Sequence, residues 1–307
     1  MEVITSPDFK RKGNSPVVLA IGAFDGLHLG HQKVIEKTIS LANEKNRPAA
    51  VYSFYPHPGK IISPENAPRQ LLTEEKKEEK LAGLGVDFYF KQKFDQDFAG
   101  ISVAGFIKEI LLDKIGVCQI VVGEDFRFGH RGHGDIKLLK EYGERYGFGV
   151  TVYPQYKVEG RKVSSSYIRQ LVRAGQVAEI PRFLGSYYSL DGTVVHGAGR
   201  GKNLGYPTAN LDLVADFVLP AAGVYAGYSV FDGREYASLA NLGDKPTFAD
   251  TEYALEIHLL NFSGDIYGKK ISFNLIERIR EVKKFPSSED LKEQIRKDLL
   301  YTKEILC

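Results

Sequence analysis

The sequence predicts a mixed α/β protein in two parts: a doubly wound parallel sheet over residues 1–184 and a small closed β-barrel with a terminal helix over 185–307. Three observations carry this. In the first part, short β-branched and aromatic runs alternate with amphipathic stretches, the arrangement of strands joined by crossover helices. After Leu184-Gly185 the runs follow one another through turns with almost no helical pattern between them, as in a barrel. A chain of 307 residues, 43% hydrophobic and 26% charged, is long enough to bury two cores.

Taken in order, five buried strands are expected in the first part, at 17–21, 49–54, 86–90, 119–122 and 149–153, each bounded by Gly, Pro or charge. Helical periodicity fills the intervals at 31–46, 73–84, 103–115 and 135–146. The charge run from Glu74 to Lys80 reads as a solvated helix face that carries no function. A helical pair at 165–174 and 176–183 leads to a boundary near 185. Five barrel strands are then expected at 188–195, 224–231, 236–241, 253–260 and 270–280, with Asp232-Gly233 as a hairpin turn. Ser287 with Glu289 and Asp290, followed by Leu291, Ile295 and Leu299, marks a capped terminal helix packed on the barrel.

Composition narrows the function classes. Forty-one Lys plus Arg against 39 Asp plus Glu leave a charge of +2, no footprint for a nucleic-acid partner but compatible with a small anion. Cys118 and Cys307 are too few for a disulfide framework or a cysteine-rich metal site. The start, MEVITSPDFKRKG, lacks the apolar core of a signal peptide, and no stretch reaches the about 18 apolar residues of a spanning helix. The expectation is a soluble, cytoplasmic protein with no membrane partner.

The stretch from Gly22 to His31, GAFDGLHLGH, spans the handover from the first strand to its helix. A helix entrance at a strand's carboxyl end offers unpaired N–H groups and a positive dipole end to an anion. His28 and His31, three apart, would lie on one side of that entrance and donate to phosphate oxygens. A zinc site is disfavoured, because no third ligand is evident. Val163-Ser164-Ser165-Ser166-Tyr167-Ile168-Arg169 opens another helix, whose serines suit capping or ribose and phosphate contacts, with Arg169 one turn beyond Ser165.

Together, G-x-F-D-G-x-H-x-G-H and S-S-S-x-I-R resemble the H-x-G-H nucleotidyltransferases, in the version of the bacterial bifunctional riboflavin kinase and FMN adenylyltransferase (FAD synthetase) family. The resemblance covers about residues 15 to 300; Val163 and Ser166 depart conservatively from that family's I-S-S-T-x-I-R. Phe54-Tyr55-Pro56-His57-Pro58 and Gly123-Glu124-Asp125-Phe126-Arg127-Phe128-Gly129 resemble its F-x-P-H-P and G-x-D-F-x-F-G segments, and both follow expected strands. The resemblance implies catalysis by His28, His31 and Arg169, and ATP contacts from Gly22, Phe24, Asp25, Gly30, Ser164 and Ser165. It also implies a flavin pocket of Phe54, Pro56, Pro58, Asp125, Phe126 and Phe128. The implied reaction is attack of the FMN phosphate on the α-phosphorus of ATP, giving FAD and pyrophosphate with Mg²⁺ as cofactor and no covalent nucleophile.

In the second part, the dense glycines of His196 to Gly205 let backbone amides approach phosphates, and Arg200 and Lys202 add charge. The stretch is not a Walker loop, since Asn203 follows Lys202 where Ser or Thr is needed, nor G-x-G-x-x-G, since Lys202 takes the last glycine's place. Pro207-Thr208-Ala209-Asn210 matches the P-T-A-N motif of riboflavin kinases, and Leu255-Glu256-Ile257-His258 resembles the segment carrying their base. The match implies ATP contacts from Gly197, Gly199, Lys202, Thr208 and Asn210, Mg²⁺ ligation by Thr208 and Asn210, and Glu256 as the base acting on riboflavin. Asn241 to Phe248 and Tyr267-Gly268 match further segments. Arg278-Ile279-Arg280-Glu281-Val282 departs from R-x-R-D-E at Val282, which weakens the flavin contact implied for Arg280. The competing expectation is an adenylyltransferase whose barrel only binds flavin as a regulatory module.

Overall fold

The computed structural model describes residues 1–6, 15–197, 205–214, 216–245 and 252–307, and the chain divides into two compact units, Met1–Ser165 and Ser166–Cys307. The first is built on strands β1 (Glu2–Thr5), β2 (Val17–Ile21), β3 (Ala49–Tyr55), β4 (Phe88–Lys93), β5 (Val117–Gly123) and β6 (Gly149–Tyr153). All pair in parallel, in the order β1-β4-β3-β2-β5-β6. Every residue of β2 is buried. Its odd positions, Val17, Leu19 and Ile21, enter one core with Ile107, Leu111 and Leu139, while Val18 and Ala20 enter another with Ile35 and Leu81. This period-2 division is what a sheet covered by helices on both faces requires.

Six strands replace the five expected. β1 escapes a reading by periodicity because it is four residues long and only Ile4 is buried, yet its parallel pairing with β4 completes an edge. The expected helices stand at Leu29–Glu44, Glu74–Gly83 and Ile136–Tyr146; the fourth continues from Val103–Gly105 into a π-helical stretch, Phe106–Ile115. That stretch ends at Gly116, whose N–H returns to the Leu111 carbonyl at 3.0 Å. The charge run at 74–80 is a correction: Lys77 is 4% exposed and Leu81, four residues on along the same helix face, is fully buried. A short hairpin, β7 (Lys157–Val158) with β8 (Arg161–Lys162), precedes the serine stretch.

Strand order runs outward from β2 in both directions, so the carboxyl ends of β2 and β5 flank a topological switch point, where ligands of open α/β sheets bind. The turn from Gly22 to His28 leaves β2 at that place.

The second unit begins within the helix Ser165–Arg173 and continues through helical turns at Val177–Glu179 and Pro181–Leu184. Its barrel is closed and wholly antiparallel, in the order β10-β13-β12-β11-β14-β9. The strands are β9 (Tyr188–Val195), β10 (Ala209–Leu213), β11 (Gly223–Phe231), β12 (Arg234–Lys245), β13 (Glu252–Leu259) and β14 (Lys270–Arg280). Val177–Glu179 packs against β14, which draws the contact-defined division ahead of the change in element type at 184/185. β10 is a further unexpected strand: Ala-Asn-Leu-Asp-Leu holds no β-branched residue and buries a polar one, Asn210. The Asp232-Gly233 turn joins β11 to β12 with φ of 49° and 70°, the double positive φ of a type I′ turn. The terminal helix, Ser288–Leu306, is capped by Ser287, whose Oγ accepts the Asp290 N–H at 3.1 Å. Among the described residues no helix is long and apolar enough to cross a membrane.

Candidate active sites

At the end of β2 the Gly22 N–H donates to the Tyr52 carbonyl at 3.2 Å, and the chain turns through Phe24 and Leu27, both in left-handed conformation. Phe24 and Leu27 are core residues, so hydrophobic burial holds a strained turn in place. Asp25 is buried and ties the turn to its surroundings: its Oδ1 accepts the Leu71 N–H at 3.1 Å and its carbonyl accepts the Ser165 hydroxyl at 2.9 Å. Both residues, expected to contact ATP, also tie the loop to its surroundings through these bonds.

His28 caps the helix Leu29–Glu44, its Nδ1 accepting the His31 N–H at 3.2 Å. That bond makes Nε2 the protonated nitrogen of the neutral ring, hence a donor. The His31 ring stacks on it with centroids 3.5 Å apart and planes at 14°, and Phe24 meets His31 edge-on at 5.3 Å. Gly30 lies close against this stack: a Cβ there would stand 3.2 Å from His28 Cε1, near enough that the ring would have to give. Burial, then His28, then Lys77 hold the His31 pKa well below the ordinary histidine range, and its Nδ1 is buried without a hydrogen-bond partner. At a helix entrance, His28 Nε2–H is thus placed as a donor where an anion would be favoured. Ser164 and Ser165 are half-buried at the start of their helix; Arg169, on the same helix in the second unit, is 6% exposed.

The expected flavin residues divide. Phe54 is half-buried, edge-on to Tyr52 at 5.4 Å and to Phe94 at 5.6 Å. Pro56 follows a cis bond from Tyr55, and Pro58 precedes the short helix Gly59–Ile62. Phe126 is half-buried and stacks on Phe128, which is core, 6% exposed and bridged to Gly134. Asp125 is exposed and pairs with Lys162 at 3.2 Å. Lys77, to which the sequence assigned no function, lines a cavity of about 10 Å³ with Ala23, Asp25, Phe54, His57 and Glu74. The i, i+4, i+7 spacing of Lys77, Leu81 and Leu84 was the available signal that Lys77 faces the core.

In the barrel, Leu255 and Ile257 are buried inside while Glu256 and His258 face outward, as alternation demands. Register places Glu256 directly between Asn210 on β10 and Asn241 on β12. Asn210 is 8% exposed, and a Cβ at Gly197 would fall 2.1 Å from its Nδ2, so this glycine makes room for the amide. His258 Nδ1–H donates to the Pro207 carbonyl at 2.8 Å, fastening P-T-A-N to β13. Thr208, Asn241, Glu256 and Arg280 line a cavity of about 710 Å³, closed on its other side by Leu291, Ile295 and Asp298 of the terminal helix. The Arg280 guanidinium is held by Asp298 at 2.7 and 2.9 Å. Gly199 and Lys202 lie outside the described residues, as does the segment 246–251. Among the described residues no cluster of three or more His, Cys, Asp or Glu could hold a metal.

A helix entrance at a switch point in one unit, and an outward carboxylate on the wall of a ligand-sized cavity in the other, fit a two-site, nucleotide-dependent phosphotransferase. Family models agree: residues 10–167 match FAD synthetase and residues 184–306 match riboflavin kinase. The bifunctional riboflavin kinase/FMN adenylyltransferase of Bacillus subtilis is 36% identical over 92% of this chain and 90% of its own. That of Escherichia coli K12 is 36% identical over 94% and 92%, respectively. A crystal structure from Streptococcus pneumoniae, named a macrolide-efflux protein, aligns with TM-score 0.90 at 30% identity over 99% of both chains. The chain belongs to the bifunctional riboflavin kinase/FMN adenylyltransferase family.

Proposed function

We propose that the chain carries out both steps of flavin-nucleotide synthesis, phosphorylating riboflavin to FMN in the barrel and adenylylating FMN to FAD on the α/β unit, with ATP as co-substrate in each. The observation that carries this is the coexistence of the His28–His31 stacked pair with Glu256 set between Asn210 and Asn241. The functional boundary near 185 is supported by the kinase match beginning at 184 and β9 at Tyr188.

In adenylyl transfer, an FMN phosphate oxygen attacks the α-phosphorus of ATP, the bond to the β-phosphate breaks and pyrophosphate leaves. His28, His31, Gly22, Phe24, Asp25, Gly30, Ser164 and Ser165 hold the triphosphate, Asp25 and Ser165 also fixing the turn. Phe54 and Phe126, backed by Phe128, offer ring faces to the isoalloxazine, bounded by Pro56, Pro58 and Asp125. In the kinase step Glu256 takes the proton of the ribityl 5′-hydroxyl as it attacks the γ-phosphorus, and ADP leaves. Gly197 stands beside Asn210, and Arg280 lines the cavity with the flavin. The donors fit Mg²⁺: Thr208 and Asn210 present hard oxygens beside a carboxylate, and would hold an ion that neutralises phosphate charge. The cytoplasm suits a chain with Cys118 and Cys307 both free.

Separation of the flavins formed after mixing the protein with riboflavin, ATP and Mg²⁺ tests the whole reading. FMN followed by FAD is expected. FAD from added FMN but none from riboflavin would reduce the barrel to a flavin-binding module, and no turnover at all would end the proposal.

A further inference from the structure

One buried charge in the first unit takes no part in the chemistry assigned above. Lys77 is 4% exposed, and lysine is seldom enclosed unless paired. Its Nζ donates to Glu74 Oε1 at 2.7 Å, one turn earlier on the same helix. Glu74 Oε2 also accepts the Tyr89 hydroxyl at 3.3 Å and faces Lys91 at 3.6 Å. Lys91 is taken up by Glu78 at 3.2 Å, so two carboxylates face two ammonium groups and Glu74 is left chiefly to Lys77.

The pair lies beneath the phosphate-binding turn. Glu74 and Lys77 share their small cavity with Ala23 and Asp25 of that turn, and with Phe54 and His57 of the segment leaving β3. The helix carrying them packs on Asp25–Leu27. The Lys77 charge is also felt at His31, where it adds to burial and to His28 in opposing protonation. A pair serving packing alone could be replaced by apolar side chains at little cost, so an ammonium kept under an anion-binding turn calls for an electrostatic role.

Resting on the adenylyl-transfer reading, we propose that the Lys77–Glu74 pair is a positioning element of that site, Lys77 lending its charge to the triphosphate gripped at His28 and His31 while Glu74 fixes the ammonium in place. Lys77 acts through its field, not as a nucleophile or an acid. Because Glu74 cancels part of that charge, the pair acts on an anion as a dipole, with a severalfold effect on binding in place of the about ten- to a hundredfold of a lone charge at about 6 to 8 Å and an effective dielectric near 20.

The experiment uses the full chain and three variants, Lys77→Met, Lys77→Arg and Glu74→Gln/Lys77→Met. FAD formation from FMN and ATP, its inhibition by added pyrophosphate, and FMN formation from riboflavin are measured on the same preparations. Lys77→Met, which leaves Glu74 unopposed, should lose about tenfold or more in kcat/KM for ATP in FAD formation and the double variant about severalfold, with pyrophosphate binding weakened in the same order. Lys77→Arg should retain most of both, and FMN formation should be unchanged throughout. The double variant buries no unpaired charge, so it decides the matter even where the single one fails to fold. Wild-type FAD kinetics and pyrophosphate inhibition in the double variant would overturn the proposal and leave the pair as packing. Absence of FAD formation in the unaltered chain would instead overturn the reading on which it rests.

Discussion

His28 Nδ1 accepts the backbone N–H of His31 at 3.2 Å, and the two imidazoles stack with their centroids 3.5 Å apart. One side chain thus caps a helix and fixes its own tautomer, so the structural role of His28 and the chemical role proposed for it share one ring. They can be separated. Asparagine caps helices as well as any residue but cannot replace the Nε2–H donor. His28→Asn should keep thermal stability within about 1 kcal/mol of wild type while FAD formation falls about a hundredfold or more and FMN formation continues. His28→Ala should lose the cap as well. FAD synthesis at the wild-type rate in either variant would remove His28 from the mechanism.

His31 makes a second prediction through pH. Its folded-state pKa is depressed by burial, by His28 and by Lys77, so below the ordinary histidine value the unfolded chain binds a proton that the folded chain refuses. Stability therefore falls as pH drops through about 6.5, by up to about 1.4 kcal/mol per pH unit, until the depressed folded-state pKa is reached. His31→Gln should lack this increment. Urea unfolding of both proteins between about pH 7.5 and 5 reads the difference; parallel curves would contradict it.

Glu256 faces outward between Asn210 and Asn241, on the wall of the larger cavity. Glu256→Gln preserves shape and removes the base. FMN formation should fall by about a hundred- to ten-thousandfold, with FAD formation from supplied FMN unaffected. Loss of both activities in a folded variant would show that the two sites are not independent.

A third kind of constraint is steric. A Cβ at Gly197 would fall 2.1 Å from Asn210 Nδ2 and 2.7 Å from its Oδ1, with the surrounding amide already buried. Gly197→Ala should displace Asn210 from beside Glu256 and lower kinase kcat/KM by about tenfold or more. At Gly30 the nearest contact would be 3.2 Å, to the His28 ring. Gly30→Ala should therefore act more mildly, and only on FAD formation. Assaying both activities on each variant checks the pairing of glycine with site.

Local signals made much of this legible. The five buried residues of β2 and the histidines after them form one contiguous stretch, and Ser287 announces its helix by capping chemistry alone. Glu256 and Asn210 were each readable from motifs, but their adjacency depends on β10, whose residues carry no strand signature. Lys77 was misread because a run of like charges masks its i, i+4, i+7 spacing with Leu81 and Leu84, the one sign that it faces inward. Tertiary pairings such as Arg280 with Asp298 leave no trace in sequence spacing.

That last pair supports the final prediction. Arg280, at the end of β14, gives Nε and Nη2 to Asp298 Oδ2 at 2.9 and 2.7 Å, and Gln294 Nε2 donates to Asp298 Oδ1 at 2.8 Å. Asp298 is 3% exposed, so removing its charge strands a guanidinium in a largely covered place. Asp298→Ala should cost about 3 to 5 kcal/mol and loosen the terminal helix over the cavity, raising the riboflavin KM of the kinase more than it lowers kcat. FAD formation from FMN should persist at temperatures below the new melting point. Replacing both partners, as Arg280→Met/Asp298→Leu, should restore most of the stability, because no buried charge is left unpaired. If Arg280 also contacts the flavin, the double variant's riboflavin KM should stay raised despite that recovery. Thermal melts beside kinase kinetics separate the two contributions, and a wild-type KM in the double variant would confine Arg280 to holding the helix.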